Sequence, residues 1–325
     1  MTSLEPRLPS EGRVLEFDFP GLEIGLAEYD EGPTGCTVFH FPRGVAFAAD
    51  VRGGSPGTIG VDYGWAHAFC FAGGSLMGLE AASGVAAELF ARRGHEHVDW
   101  NDVPLVAGAI IFDFGARRNG VYPDKALGAA ALRAARPGVF LLGPRGAGRM
   151  AAAGKAVAFD QAEPAGQGAA FRQYRGLKMA VFTVVNALGA VYDRQGNIVR
   201  GNRDRASGKR LSLVAEAEQS LLGLGGPAAP PSGNTTLTLA LTNARLPGRT
   251  LAQLARQVHA SMARAVQPFH TDHDGDVLFM AATNEVDSPL AAMGGALGAL
   301  ISEVAWDAVL ASWDPDEPTA APPRG

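Results

Sequence analysis

A layered α/β body, with strands inside and helices outside, is the fold class this 325-residue chain predicts. Three observations carry the prediction. Short apolar runs with strand-like alternation recur along the chain, windows at helical spacing lie between them, and 42 glycines, nearly twice the usual share, favour close backbone packing. In chain order, residues 38–41 read as a strand and residues 75–93 as a helix. Residues 107–114 read as a second strand. Residues 123–135 form a helix with Pro123 at its first position, where the missing N–H costs nothing. Strands follow at 178–185 and 190–193. Residues 235–242 alternate Thr236, Thr238, Ala240 and Thr242 with Leu237, Leu239 and Leu241, the pattern of a strand with one buried face. Thr250 is expected to cap a helix whose apolar positions are Leu251, Leu254, Val258 and Met262. A strand at 277–281 and a long last helix, opened by Ser288-Pro289 and running to Trp313, complete the body. No internal repeat interrupts it, so the whole chain, 1–325, is expected to be one catalytic domain with Pro- and charge-rich flexible tails at 1–13 and 314–325.

Composition narrows the function classes. Hydrophobic residues make up 47% and charged ones 19%, enough to bury a substantial core. A net charge of −5 argues against nucleic acid or an anionic membrane surface as partner. Cys36 and Cys70 are isolated thiols rather than a disulfide framework or a CxxC pair. With no apolar run in the first seven residues, they suggest a cytoplasmic protein without a signal peptide. The most apolar segment, 290–301, falls short of the ~20 residues needed to cross a bilayer, and Glu303 and Asp307 follow it.

The most informative stretch is Gly233-Asn234-Thr235-Thr236. Upstream, residues 225–232 are rich in Pro and Gly and resist regular structure; downstream the alternating strand begins. A Thr at such a junction is placed to attack the carbonyl of Asn234 through its own hydroxyl. Hydrolysis of the resulting ester splits the chain into 1–234 and 235–325, which stay associated because the second piece begins with a core strand. The freed α-amine of Thr235 titrates near ~8, so part of it is neutral at physiological pH and can take the proton from the adjacent Oγ. Nucleophile and base then sit on one residue. Taken alone, these four residues read first as a common dipeptide in a surface turn.

Other polar candidates are ambiguous on their own. Lys155 lies among alanines and Gly154, which suits a lysine reaching solvent from a loop. Asn186 ends a strand before Gly189 and reads as a turn residue or as a donor aimed into a cleft. His270-Thr271-Asp272-His273-Asp274-Gly275-Asp276 is the densest polar cluster, yet it fails the calcium-loop pattern, with Gly275 in fourth place and Thr283 where the bidentate Glu belongs. No metal is expected there. The remaining histidines, His40, His67, His95, His97 and His259, have no spacing that points to catalysis.

Residues 50–58, Asp-Val-Arg-Gly-Gly-Ser-Pro-Gly-Thr, and 72–81, Ala-Gly-Gly-Ser-Leu-Met-Gly-Leu-Glu-Ala, resemble the two Gly-rich signatures of the DmpA-type aminopeptidase family of N-terminal-nucleophile amide hydrolases. Blocks at 17–21, 31–35, 121–128, 166–172, 267–272 and 306–310 extend the resemblance over most of the chain, with the nylon-oligomer hydrolase branch the nearest. The resemblance implies an αββα sandwich and no cofactor. It implies cleavage of linear 6-aminohexanoate-type amides in an endo mode, and a homotetramer of processed pairs. It also implies roles for residues: Thr235 as nucleophile, Lys155 lining the site, Asn186 as oxyanion donor, and Asp274 and Asp276 orienting the Thr235 amine. One departure matters. The family carries Tyr before Asp where this chain has Phe112-Asp113, so a hydroxyl beside the substrate is missing. An aminopeptidase acting on short or β-amino peptides, an acyltransferase and an inert binding scaffold are the other readings.

Overall fold

The computed structural model describes residues 4–94, 98–156, 159–223, 233–292 and 295–316. Eight principal strands carry the fold: β1 (Glu23–Tyr29), β2 (Thr34–Val51), β3 (Trp65–Ala72), β4 (Val106–Ile110), β5 (Gln167–Tyr174), β6 (Leu177–Asn186), β7 (Thr235–Ala244) and β8 (Val277–Val286). The helices are α1 (Glu80–Ala91), α2 (Lys125–Arg133), α3 (Leu213–Leu221), α4 (Gly248–Ser261) and α5 (Ala296–Leu310). Hydrogen bonding links the strands in the order β5-β6-β7-β8-β2-β3-β4, with β1 branching from β2. Only β7–β8 and β3–β4 pair in parallel along this path.

Strand β2 makes the layers possible. It is 18 residues long, and its register against β3 slips between His40 and Val45, where Gly44 has φ +69°. Its first half pairs with β1 and its second half with β8. The two halves of the sheet thereby face each other, and phenylalanines fill the space between them. Phe39 on β2 meets Phe182 on β6 with ring centroids 5.2 Å apart, and Phe69 on β3 meets Phe279 on β8 at 5.2 Å. A second core lies between the outer face of β6–β8 and helices α4 and α5, with Met179, Leu278, Leu254 and Ile301 among its members. A third lies between β1–β4 and helices α1 and α2, built on Val38, Cys70, Val85 and Leu127. Helix, sheet, sheet and helix thus stack in four layers around three apolar cores, the αββα sandwich the resemblance implies.

Several elements differ from the sequence reading. Strand β7 is buried on both faces: its leucines enter the sheet–sheet core, and its Thr and Ala positions face the α4–α5 side. The alternation therefore marks two different interiors, not one wet face. The strand expected at 107–114 ends at Ile110, because Asp113 leaves the ladder to accept from Gly74 N at 2.9 Å. Helix α2 begins at Lys125 with Asp124 as its cap, accepting from Leu127 N at 2.9 Å, so Pro123 lies before the helix rather than at its first position. Helix α4 starts two residues before Thr250. The expected final helix begins as one turn, Pro289–Ala292, ahead of α5. Part of the N-terminal segment expected to be mobile is docked, with Arg7 and Glu28 exchanging backbone hydrogen bonds at 2.8 and 2.9 Å. No described helix is long and apolar enough to cross a membrane.

Candidate active site

Thr235 opens β7 next to Asn186, the last residue of β6, and the two are direct partners in the antiparallel ladder. The strand ends thus bring nucleophile candidate and amide candidate together by register alone. Thr235 is buried, and its hydroxyl is held against the carbonyl oxygen of Asn234. That oxygen also accepts the Gly275 N–H at 2.8 Å. Gly275 comes this close because it lacks a side chain: a Cβ there would lie 2.7 Å from Thr235 Oγ1. Gly233, one residue before the junction, has φ +51°, and a Cβ on it would collide with the Phe112 ring.

Lys155 reaches this junction from a loop whose shape is set by two contacts. Gly154, at φ +79°, packs against the 201–202 backbone so closely that no side chain fits. The N–H groups of Gly154 and Ala156 then bind the carbonyls of Gly189 and Leu188. The lysine is 3% exposed and does not reach solvent. Its Nζ donates to Asn186 O (2.9 Å), Asn186 Oδ1 (2.8 Å) and Gly233 O (3.2 Å). Burial pulls its pKa down to about 7, against the opposing pull of Asp274, Asp113 and Asp276. Near neutrality this amine therefore switches between charged and neutral forms. Asn186, anchored through Oδ1, donates its amide to the Phe112 carbonyl at 3.0 Å. That donor is aimed at Phe112 rather than at Asn234.

Two of the three carboxylates of the 270–276 cluster, Asp274 and Asp276, flank the start of β7. Asp276 is fully buried and accepts the Thr236 N–H at 2.7 Å. Asp274 accepts from Thr271 N (2.8 Å) and Thr271 Oγ1 (2.7 Å). Its pKa is raised, first by burial and then by Asp276, with the Thr271 bonds opposing. Both Gly-rich segments buttress this arrangement. Ser55 N binds Asp274 O at 2.8 Å, and Gly54 N binds Thr271 O at 3.1 Å. Gly73 packs where a side chain would strike Asp113.

All the singled-out residues, Phe112, Lys155, Asn186, Asn234, Thr235, Asp274 and Asp276, thus meet in one connected cluster. Sequence reasoning missed the buried Asp113–Arg117 pair (2.7 Å), which closes the same site below Phe112. It also missed Thr271 and His270 as holders of the two carboxylates. The signal available was the Gly73-Gly74 step, which admits Asp113, and the adjacency of His270-Thr271 to the two aspartates. Among the described residues, no group of three or more His, Cys, Asp or Glu is placed to hold a metal ion.

Beside Lys155 and Asn186 opens a cavity of about 150 Å³. Its wall is mostly methyl and methylene groups, from Met150, Ala151, Ala152, Ala162, Pro164 and Ala165, with the Phe112 ring at one side. Asp113 also lines it, but its carboxylate is occupied by Arg117, Thr34 Oγ1 (2.6 Å) and Gly74 N.

The chain is 47% identical over 314 residues to the 6-aminohexanoate-oligomer endohydrolase of Paenarthrobacter ureafaciens, covering 93% of this chain and 86% of that protein. The Burkholderia sp. beta-aminopeptidase superposes with a TM-score of 0.66 at 17% identity, covering 95% of this chain and 89% of that one. The L-aminopeptidase D-Ala-esterase/amidase of Ochrobactrum anthropi, a variant of the Ntn hydrolase fold, gives 0.65 at 14% identity, with coverage of 94% and 88%. The fold is therefore that of the Ntn hydrolases. The profile of peptidase family S58 matches residues 17–312, and the chain, an amide-bond hydrolase, belongs to that family.

Proposed function

We propose that this hydrolase matures by cutting its own chain between Asn234 and Thr235 and then cleaves linear oligoamides of the 6-aminohexanoate type internally. In maturation, Thr235 Oγ1 attacks the Asn234 carbonyl carbon, the peptide nitrogen leaves as the Thr235 amine, and water hydrolyses the ester that remains. The observation that carries the reading is the junction itself. The attacking hydroxyl lies against the Asn234 carbonyl, and the Gly275 N–H points at the oxygen on which negative charge builds. In turnover the freed amine of Thr235 takes the Oγ1 proton, Oγ1 attacks a substrate amide, and the amine product departs with that proton. Water then releases the acyl group. Lys155 supplies positive charge beside the reacting carbonyl, while Asp274 and Asp276 orient the new ammonium. Asn186, once released from Phe112, is a second oxyanion donor.

The apolar cavity supports a polymethylene substrate, since its methyl-lined wall offers burial and few hydrogen bonds. The name of the relative at 47% identity supports the same substrate class. An aminopeptidase would need a carboxylate free to grip a substrate ammonium, and Asp113, the carboxylate lining this cavity among the described residues, is already paired. The test is hydrolysis of 6-aminohexanoate oligomers with free and acetylated amino ends. Internal cleavage of both at similar rates is expected. Release of single N-terminal units only, with no cleavage of capped oligomers, would transfer the reading to an aminopeptidase.

A further inference from the structure

Asp276 is held from two sides. Its Oδ1 accepts the Thr236 N–H, while its Oδ2 accepts both the backbone N–H (3.0 Å) and ring Nδ1 (3.1 Å) of His270. A carboxylate only accepts, so His270 Nδ1 carries the proton. The His270 backbone making these contacts lies at φ +63°, a left-handed conformation uncommon for a residue other than glycine. The ring is itself supported from behind. His259, buried in α4, meets it edge-on with centroids 4.3 Å apart. Nδ1 of His259 bonds Asp50 Oδ2 at 3.0 Å, and Arg52 Nε holds the same oxygen at 2.6 Å. Asp50 and Arg52 open the first Gly-rich segment, so that segment reaches the nucleophile's strand through two histidines.

We infer that His270 is a positioning residue for the reaction: its two N–H groups fix Asp276 at the start of β7 and so set where that carboxylate meets Thr235. The inference rests on the roles proposed above for Thr235 and Asp276.

Three substitutions separate backbone from side chain. His270→Ala loses the ring donor and keeps the strain. His270→Gly relieves the strain and still lacks the donor. His270→Asn tolerates the left-handed backbone and restores a short N–H donor. Steady-state kinetics on 6-aminohexanoate oligomers should show kcat falling about 10- to 100-fold in the Ala and Gly variants, the effect of losing one hydrogen bond to a charged group, with KM little changed. The Asn variant should recover most of the loss. Equal recovery by Gly and Asn would reduce the role to backbone shape and overturn the inference, as would wild-type kcat in all three. Should the variants not fold, histidine-nitrogen NMR of the wild-type protein still decides: an Nδ1–H tautomer for His270 is expected, and an Nε2–H tautomer overturns it. Thr235→Ala, run alongside, isolates the underlying reading, because an active Thr235→Ala enzyme would defeat that reading whatever the His270 series shows.

Discussion

Lys155→Met tests how strongly the site's chemistry costs the fold. Methionine keeps most of the lysine stem and its packing while removing the charge. In the wild-type chain the ammonium is 3% exposed, and its pKa falls from 10.5 to about 7 because of burial. The unfolded chain therefore binds a proton that the folded chain lacks throughout the window between these values. Wild-type stability should rise with pH across that window, and the penalty for the buried ammonium is complete only below about pH 7. Integrating the two titrations gives roughly 2 kcal/mol of extra wild-type stability between about pH 7 and pH 9, an order-of-magnitude figure at ~1.4 kcal/mol per pH unit. The Met variant has no such slope. Chemical denaturation of both proteins in a Thr235→Ala background, which keeps each a single chain, reads the difference directly. A stability gap between wild-type and variant that stays flat from pH 7 to 9 would show that Lys155 titrates normally. It would also remove the premise that its charge switches near neutrality.

Two glycines at the junction give opposite kinds of test. Gly233→Ala must hold alanine at φ +51° against the Phe112 ring, and the ~1–2 kcal/mol cost of a left-handed residue should slow self-cleavage roughly tenfold, followed by gel densitometry. An unchanged rate would mean that this turn does not present the junction. Gly275→Ala carries no such strain, but its methyl would sit 2.7 Å from Thr235 Oγ1. Both self-cleavage and turnover should collapse in it, because the methyl displaces the Thr235 hydroxyl, and normal turnover would show that the close approach of Gly275 to Thr235 is not needed for the reaction.

Much of the fold was legible because its elements obey local periodicity. The strands at β6, β7 and β8 and the helices α1, α2 and α4 all follow apolar spacing. What escaped did so for physical reasons. Strand β3, mostly buried, reads Trp-Ala-His-Ala-Phe-Cys-Phe-Ala and shows no polar–apolar alternation that would mark one wet face. Strand β7 alternates between two apolar interiors, which a one-face reading cannot distinguish from core and solvent. The site residues were legible only partly. Thr235 and Asn186 meet through strand register, and sequence shows neither strand's partner. Lys155 read from its neighbours as a surface lysine; the fold instead closes Ala-Gly-Lys-Ala around it and offers three carbonyl oxygens in place of water. His270 stood in the densest polar cluster without its role showing, and His259 gave no sign, since their partnership joins residues in α4 and in the loop before β8.

The account turns on Thr235 as an N-terminal nucleophile. Denaturing mass spectrometry of the purified protein, with sequencing of the smaller species, tests it most directly. Two chains are predicted, residues 1–234 and 235–325, the second beginning Thr-Thr-Leu-Thr, and the Thr235→Ala protein should give a single full-length mass. A wild-type protein that hydrolyses oligoamides at full rate while remaining one intact chain would contradict the account.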